Sequence, residues 1–363
     1  NYIFWNSEKI KKTKRSIKRD GIHFYNYYSL PSPDGFVGPV ILDILCPKNK
    51  IPKLNNGHME PAITVNLGKS DIYGRWGKKL NKINFSKIKY NSSKKHEWII
   101  GDTYVEPTYC PHSYSRATND NSKILSYTVR SPIHKLVKNL NRWPQNNYKN
   151  FIQNFNNLDS RIAILNFYLI NRGLTISYLS KKIKKKILNL DQIIKNKILL
   201  KSVCKILNIN INLFNKKKYL NEDDIGKTYL SFKNSFKTIR KYKSYQIASM
   251  ASSERYPDLF GYFMKVNGER KIKDLNDYTS SHYLVTGGKL KFNVGKKIIN
   301  MKFGDSLWMS PFTIHGFSGK GSILKISNGE SLDSNDLSEI LNLYKPKKTL
   351  LRSYKDNLSW GYE

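Results

Sequence analysis

The chain is short of acid, of cysteine and of long apolar runs, and each shortage excludes something. Its 363 residues hold 27 Asp and Glu against 63 Lys and Arg, a formal net charge of +36. Arginine is scarce too, with only 12 of the 63 basic residues. The lysines are scattered and come with abundant Asn and Ile, a usage that an AT-rich genome writes onto solvated faces. Such charge speaks to solubility and to attraction of anions, not to fold, and it does not by itself imply nucleic acid. Cys46, Cys110 and Cys204 are odd in number and widely spaced, which argues against a disulfide framework or a cysteine zinc cluster and fits a reducing cytoplasm. No apolar run approaches the roughly 20 residues that span a bilayer. Residues Asn1 to Trp5 form no signal peptide, so a cytoplasmic protein with no membrane partner is expected. Asn1 in place of Met points to a true start further upstream.

What is present is enough to build a core. Hydrophobic residues make up 39% and aromatic residues 13%, which excludes disorder over most of the chain, and the length suggests two or three domains. From Asn1 to about Arg130, short alternating apolar segments broken by Pro, Gly and Asn predict strands. The clearest are Val37 to Leu45, Ala62 to Leu67, His96 to Ile100, Thr103 to Val105 and Lys123 to Val129. From Ser131 to Leu220 apolar residues recur at helical spacing, as in Ile162, Leu165, Tyr168 and Leu169. Strand patterning returns over 231–327, at Tyr283 to Thr286, Lys289 to Val294, Ile298 to Phe303, Ser306 to Met309 and Ser322 to Ser327, before a helical tail.

The two strand-rich blocks are an internal repeat. Gly101-Asp102 leads through a strand and a Pro to Pro111-His112, and Gly304-Asp305 leads through a strand and a Pro to His315. Gly-Asp suits a turn into a strand, and Pro suits a strand end where no ladder donor is needed. Upstream of each lies a segment opening with His, at His58 and at His282. Each pair of segments resembles the two halves of a cupin barrel. The fold expected is mainly β with a helical insert: tandem cupin barrels of the double-stranded β-helix (jelly-roll) type with a helix-turn-helix-like domain between them. The corresponding boundaries are a first cupin over 1–140, a helical domain over 141–225, a second cupin over 226–330 and a helical tail over 331–363.

In the first barrel His58, Glu106 and His112 fall at positions that a cupin gathers in its mouth. Two imidazoles and one carboxylate form the facial triad of non-haem Fe(II) oxygenases, which leaves positions open for substrate and oxygen. Glu60 is a rival carboxylate, because residues two apart on a strand share a face, and spacing alone leaves both open. The second barrel keeps His282 and His315 but shows no matching carboxylate, so it reads as structural.

Asn55-Asn-Gly-His58-Met-Glu-Pro-Ala-Ile-Thr-Val-Asn-Leu-Gly68, Asp71-Ile-Tyr-Gly-Arg-Trp76 and Tyr104-Val-Glu-Pro-Thr-Tyr-Cys-Pro-His112-Ser resemble the 2-hydroxyethylphosphonate dioxygenases and their relatives the methylphosphonate synthases. The resemblance runs over nearly the whole chain. It implies a helical segment followed by a cupin, twice, with iron only in the first cupin and the first helical segment lying before Asn1. It implies His58, Glu106 and His112 as the Fe(II) ligands and catalytic centre, and places phosphonate contacts at Arg19, Tyr27, Asn55 and Ser126. A lysine of the second cupin, taken as Lys325, completes that set. The implied reaction cleaves the carbon–carbon bond of 2-hydroxyethylphosphonate with O2, giving hydroxymethylphosphonate and formate; the synthase gives methylphosphonate from the same substrate. Synthases carry a glutamine in the ligand set, whereas no Gln lies between His58 and His112, which favours the dioxygenase.

A competitor from another class comes from the middle block. A helix ending at Gly173 and another starting near Thr175 resemble a helix-turn-helix, followed by Lys181, Lys182, Lys184, Lys185 and Lys186. A cupin-linked DNA-binding regulator would use such a pair, but Ile176, Tyr178 and Leu179 offer little with which to read bases. The partners expected are therefore a small phosphonate and O2 rather than DNA, with a homo-oligomer left open.

Overall fold

A computed structural model of the chain describes residues 1–36, 38–48, 50, 52–77, 84–128, 137, 140–153, 159–215, 219–327 and 334–360. Strands β1 to β10 are Tyr2–Trp5, Arg15–Arg19, Ile22–Ser29, Val40–Ile44, Ala62–Gly68, Ile72–Trp76, Asn84–Ile88, Thr103–Glu106, His112–Arg116 and Ser122–Thr128. Strands β11 to β18 are Thr228–Leu230, Arg240–Tyr242, Tyr245–Ser249, Phe260–Gly268, Ser281–Val294, Lys297–Lys302, Ser306–Met309 and His315–Ser327. Helices α1 to α9 are Ser7–Lys12, Gln145–Gln153, Ser160–Asn171, Ile176–Ile183, Leu190–Lys195, Lys197–Leu207, Phe232–Phe236, Ser334–Asn342 and Pro346–Trp360.

One compact unit joins residues 1–131 to 219–363, and the other is residues 132–218. The helical unit is thus 132–218 rather than 141–225, and the two barrels form one unit. In the first barrel the sheet β11-β8-β5-β10-β4-β3-β2 faces the short sheet β7-β6-β9. In the second, β1-β17-β15-β18-β14-β13-β12 carries β16 on β15. Here β15 and β18 each run unbroken where the first barrel has two strands, β5 with β6 and β9 with β10. Of the expected strands, 96–100 is instead a turn, because His96 takes φ +49° and Ile99 closes onto the His96 carbonyl. Val37 and Val129, at the ends of two others, lie outside the described residues.

The barrels trade a strand. β1 pairs with β17 of the second barrel, and β11, which follows the helical unit in sequence, pairs with β8 of the first. Neither boundary drawn from sequence allows for this, because strand pairing across 300 residues leaves no local trace. The two Asp residues of the Gly-Asp repeats hold the traded segments. Buried Asp102 accepts from the Phe232 N–H at 2.8 Å and from the Tyr229 hydroxyl, and buried Asp305 accepts from the Ser7 N–H at 2.8 Å. Gly101 has no side chain because a Cβ there would sit 2.5 Å from the Asn66 carbonyl oxygen.

Three cores follow from strand alternation. One face of the large sheets puts Ile63, Val65 and Leu125 against Phe263, Leu284, Leu324 and Ile326, and so joins the barrels. The opposite faces fill the barrel interiors, with Leu42, Ile44, Tyr104 and Ile124 in the first and Met264, Tyr283, Phe292 and Met309 in the second. Each fully buried aliphatic side chain contributes about 1.5–3 kcal/mol. His282 belongs to the joint rather than to a barrel mouth. Its Nδ1 lies 2.9 Å from the Tyr127 hydroxyl and its Nε2 lies 2.7 Å from the Pro31 carbonyl oxygen. The pairing of His282 with His58 read from sequence is therefore wrong: His282 sits on the sheet face that turns away from its own barrel.

In the helical unit, Leu165, Leu179, Ile193, Val203 and Leu207 form a core of their own. α3 and α4 are bent by 88° at the break around Gly173, whose φ of +64° suits glycine. Thr175 caps α4 by accepting from the Tyr178 N–H. Leu179, named with Ile176 and Tyr178 for a recognition helix, is buried in that core.

Burial holds the His282 imidazole down at about 3, against 6.5 when free. The stability that the neutral ring carries is complete above pH 6.5 and is lost as pH falls toward 3. The loss is about 1.4 kcal/mol per pH unit. Urea unfolding between pH 7 and pH 5 is expected to show a shallower decline in His282→Gln than in the wild type, by about one proton; equal slopes would clear His282 of this role.

Candidate metal centre

The site is built where three elements end. His58 lies in the turn before β5, Glu106 closes β8 just before Pro107, and His112 opens β9. Glu106 Oε1 lies 3.4 Å from His58 Nε2 and 3.5 Å from His112 Nδ1, and the imidazole rings cross at 78°. One ligand atom from each residue falls within 4.8 Å of the others, and among the described residues this is the one such group. The Glu106 side chain is 2% exposed and that of His58 32%, so the open side lies by His58.

These residues fit a divalent ion. The donors are two nitrogens and one oxygen converging from one side, which suits a first-row metal with open positions. A buried carboxylate also calls for positive charge, and Glu106 Oε1 finds two imidazoles there. Each donor is oriented from behind, as metal ligands require. His58 Nδ1 is 2.5 Å from the Glu60 carbonyl oxygen, and His112 Nδ1 is 2.9 Å from the Cys110 carbonyl oxygen. With both Nδ1 atoms donating, each imidazole in its neutral form keeps its lone pair on Nε2. Trp76 Nε1 donates to Glu106 Oε2 at 3.0 Å and leaves Oε1 for the histidines. The rival Glu60 therefore serves through its backbone. Residue 58 is irregular and residues 59–60 form a bend, not a strand, so the shared-face reasoning for Glu60 does not apply.

Asn55 locks the mouth. Its Oδ1 accepts the N–H groups of Gly57 and His112, both at 2.9 Å, which turns Nδ2 toward His112 Nε2 at 3.0 Å. Gly57 makes this turn possible, since its φ is +75° and a Cβ would meet the Tyr109 backbone at 2.5 Å. Tyr27 on β3 feels charges of both signs: its hydroxyl is raised by burial, pulled down by Arg19 and Arg15 and pushed up by Glu106, and is raised on balance. Ser126 lies on β10 opposite Thr64 and shares the interior face of Ile124. The structure thus brings Asn55 against His112 and Tyr27 into the field of Glu106, ties Arg19 to the group through Tyr27 alone, and places Ser126 on the same barrel's inner wall.

A model of the 2-hydroxyethylphosphonate dioxygenase cupin-like domain matches residues 11–129. The 2-hydroxyethylphosphonate dioxygenase of Streptomyces viridochromogenes is 36% identical over 366 positions, covering 98% of this chain and 82% of that protein. The chain belongs to the 2-hydroxyethylphosphonate dioxygenase family. The methylphosphonate synthase of Nitrosopumilus maritimus is 21% identical over 401 positions, covering 99% of this chain and 80% of that protein. A solved structure of PhpD with cadmium, complexed with hydroethylphosphonate, is 35% identical, with 97% of this chain and 84% of that one covered, and superposes with a TM-score of 0.76.

In this family member Lys325 is not at the centre. Its Nζ pairs with Asp277 at 2.6 Å inside the second barrel and lies over the Tyr262 ring. Lys325 lies on a strand of the second barrel, as read from sequence, but its side chain is spent on Asp277. The cation that sequence reading missed near the centre is Lys227, buried, paired with Asp223 at 3.2 Å and lying 4.9 Å over the Trp76 ring. Trp76 was missed as well, although it ends a quoted motif; Gly74 is the signal, because a Cβ there would strike the Trp76 ring at 2.1 Å.

Burial works to raise the Glu106 carboxyl, but His112, His58 and the Trp76 N–H outweigh it and hold it below its ordinary value. Burial works to lower His58, but Glu106 outweighs it and raises the imidazole above 6.5. A metal must displace that proton. Metal affinity is therefore expected to fall about tenfold per pH unit on going below the raised His58 value, measured by calorimetric titration between pH 8 and pH 6. Trp76→Phe is expected to weaken metal binding about 10–100-fold with unchanged circular dichroism; wild-type affinity would show that the indole does not orient Glu106.

Proposed function

We propose that this protein is a 2-hydroxyethylphosphonate dioxygenase that uses Fe(II) at His58, Glu106 and His112. The observation that carries the reading is the buried Glu106 facing two imidazoles, and the Tyr27 hydroxyl, which feels both Glu106 and Arg19, supports it. Identity of 36% to a dioxygenase against 21% to a synthase supports the product assignment, as does a glutamate at the third donor position. Three free, buried cysteines fit a cytoplasmic place of action.

The reaction balances without another reductant: 2-hydroxyethylphosphonate plus O2 equals hydroxymethylphosphonate plus formic acid in every atom. The substrate supplies the four electrons. When bound, Fe(II) supplies Lewis acidity and one-electron chemistry at open positions. The chain's own residues hold the dianion in register with that centre. Arg19 gives a planar two-pronged donor, each charge-assisted bond being worth about 1.5–3 kcal/mol. Tyr27, raised above its ordinary value, stays a phenol and donates. Ser126 adds a hydroxyl. Asn55 Nδ2 caps His112 Nε2; were that lone pair to hold the metal, the amide would keep its place because two backbone N–H groups hold its oxygen. Its N–H is then free to donate to the substrate.

With Fe(II) and 2-hydroxyethylphosphonate, one O2 is expected to be consumed per substrate, and phosphorus NMR is expected to show hydroxymethylphosphonate. Methylphosphonate as the product would make the protein a synthase, and no uptake by the iron-loaded chain would remove the reading. His112→Ala is expected to abolish turnover with the fold kept. Arg19→Lys is expected to raise KM about 10–100-fold, since a lost forked contact costs about 1.5–3 kcal/mol.

A further inference from the structure

The strand registers give each residue of the first barrel a counterpart in the second. Ala62 faces Glu106 as Ser281 faces Met309, so Met309 stands in the place of Glu106. Counting four residues back from Ala62 and from Ser281 pairs His58 with Asp277. His112 opens β9 as His315 opens β18, and the His315 Nδ1 bonds the Thr313 carbonyl oxygen at 2.7 Å just as His112 Nδ1 bonds that of Cys110. Ser126 faces Thr64 as Lys325 faces Tyr283, so Lys325 replaces Ser126. Two of the three donor positions thus keep ligand-type side chains, Asp277 and His315, whose nearest atoms are 3.9 Å apart.

The geometry points to a built-in substitute for a metal ion: we infer that the Lys325 ammonium fills, in the second barrel, the cation place that the three-donor group makes in the first. The ammonium lies 2.6 Å from Asp277 Oδ1, and Tyr283 donates to Asp277 Oδ2 at 2.6 Å while its oxygen lies 2.9 Å from His315 Nε2. Lys325, His315 and Tyr283 are all buried. A lone buried carboxylate is costly, and so is a lone buried ammonium; together they satisfy each other. Burial works to raise Asp277, but Lys325, Tyr283 and His315 hold it below its ordinary value, in keeping with a charged pair. Met309 fits the exchange, because a cation already paired with Asp277 leaves no charge for a second carboxylate to balance. The second barrel is then a latent cation site occupied by its own chain.

The test is metal stoichiometry with Co(II), read by equilibrium dialysis and visible absorption. Lys325→Ser with Met309→Glu gives the second barrel the first barrel's residues at those two positions. That variant is expected to bind one Co(II) more per chain than the wild type, whatever the wild-type count and whatever its activity. A folded variant with no gain would overturn the inference. A second measurement leaves Lys325 untouched: His58→Ala with His112→Ala strips the first barrel to Glu106 alone. That chain is expected to bind no Co(II) tightly. One retained equivalent would place a metal in the second barrel beside an intact lysine, and would overturn the inference independently.

Discussion

A buried carboxylate in a barrel mouth needs a cation, and the rest of this structure is arranged around that need. Glu106 is enclosed on every side but one, and its two oxygens are divided between Trp76 and the two imidazoles. The division decides the chemistry. An oxygen committed to the indole cannot turn toward the imidazoles, and the other is left 3.4 Å from His58 Nε2 and 3.5 Å from His112 Nδ1. His58, the most exposed of the three, marks the open side of the group.

Two barrels of one design answer the same need in different ways. The first leaves the cation to be supplied from outside, and so keeps positions open for chemistry. The second places Lys325 against Asp277 and closes the space. An internal ammonium cannot exchange ligands or electrons, so the second barrel contributes packing. Its large sheet gives the first barrel a rigid back through the joint formed by Ile63, Val65, Leu125, Phe263, Leu324 and Ile326. The traded strands β1 and β11 tie the two together, and Asp102 and Asp305 hold each trade by accepting backbone N–H groups of the incoming segment. Glu106 ends the strand whose other edge receives β11, so the metal ligand is anchored by a segment from beyond the helical unit.

Much of this was legible in the residues. The paired Gly-Asp, Pro and His segments revealed the repeat, and the alternation of apolar residues revealed most strands, because both depend on nearest neighbours along the chain. The two histidines stood out through residue type and spacing, which left Glu106 and Glu60 as rival carboxylates until the family resemblance favoured Glu106. Errors came where a side chain's direction mattered. Glu60 was weighed as a ligand on strand alternation, but it lies in a bend. His282 looked like the partner of His58, yet it faces the joint between the barrels. Asp277 was passed over because its place is fixed by counting from a strand start that the sequence shows only loosely.

By itself, then, the sequence determined the double-barrel architecture, the helical insert and the two histidine donors, since these follow from local periodicity, turn chemistry and ligand type. Only the tertiary structure decided which carboxylate faces the histidines, which lysine lies near them and which strands change barrels. Those outcomes depend on register and on pairings across hundreds of residues: a shift of one residue along a strand turns a side chain from the interior to the joint, and no short stretch of chain records that choice.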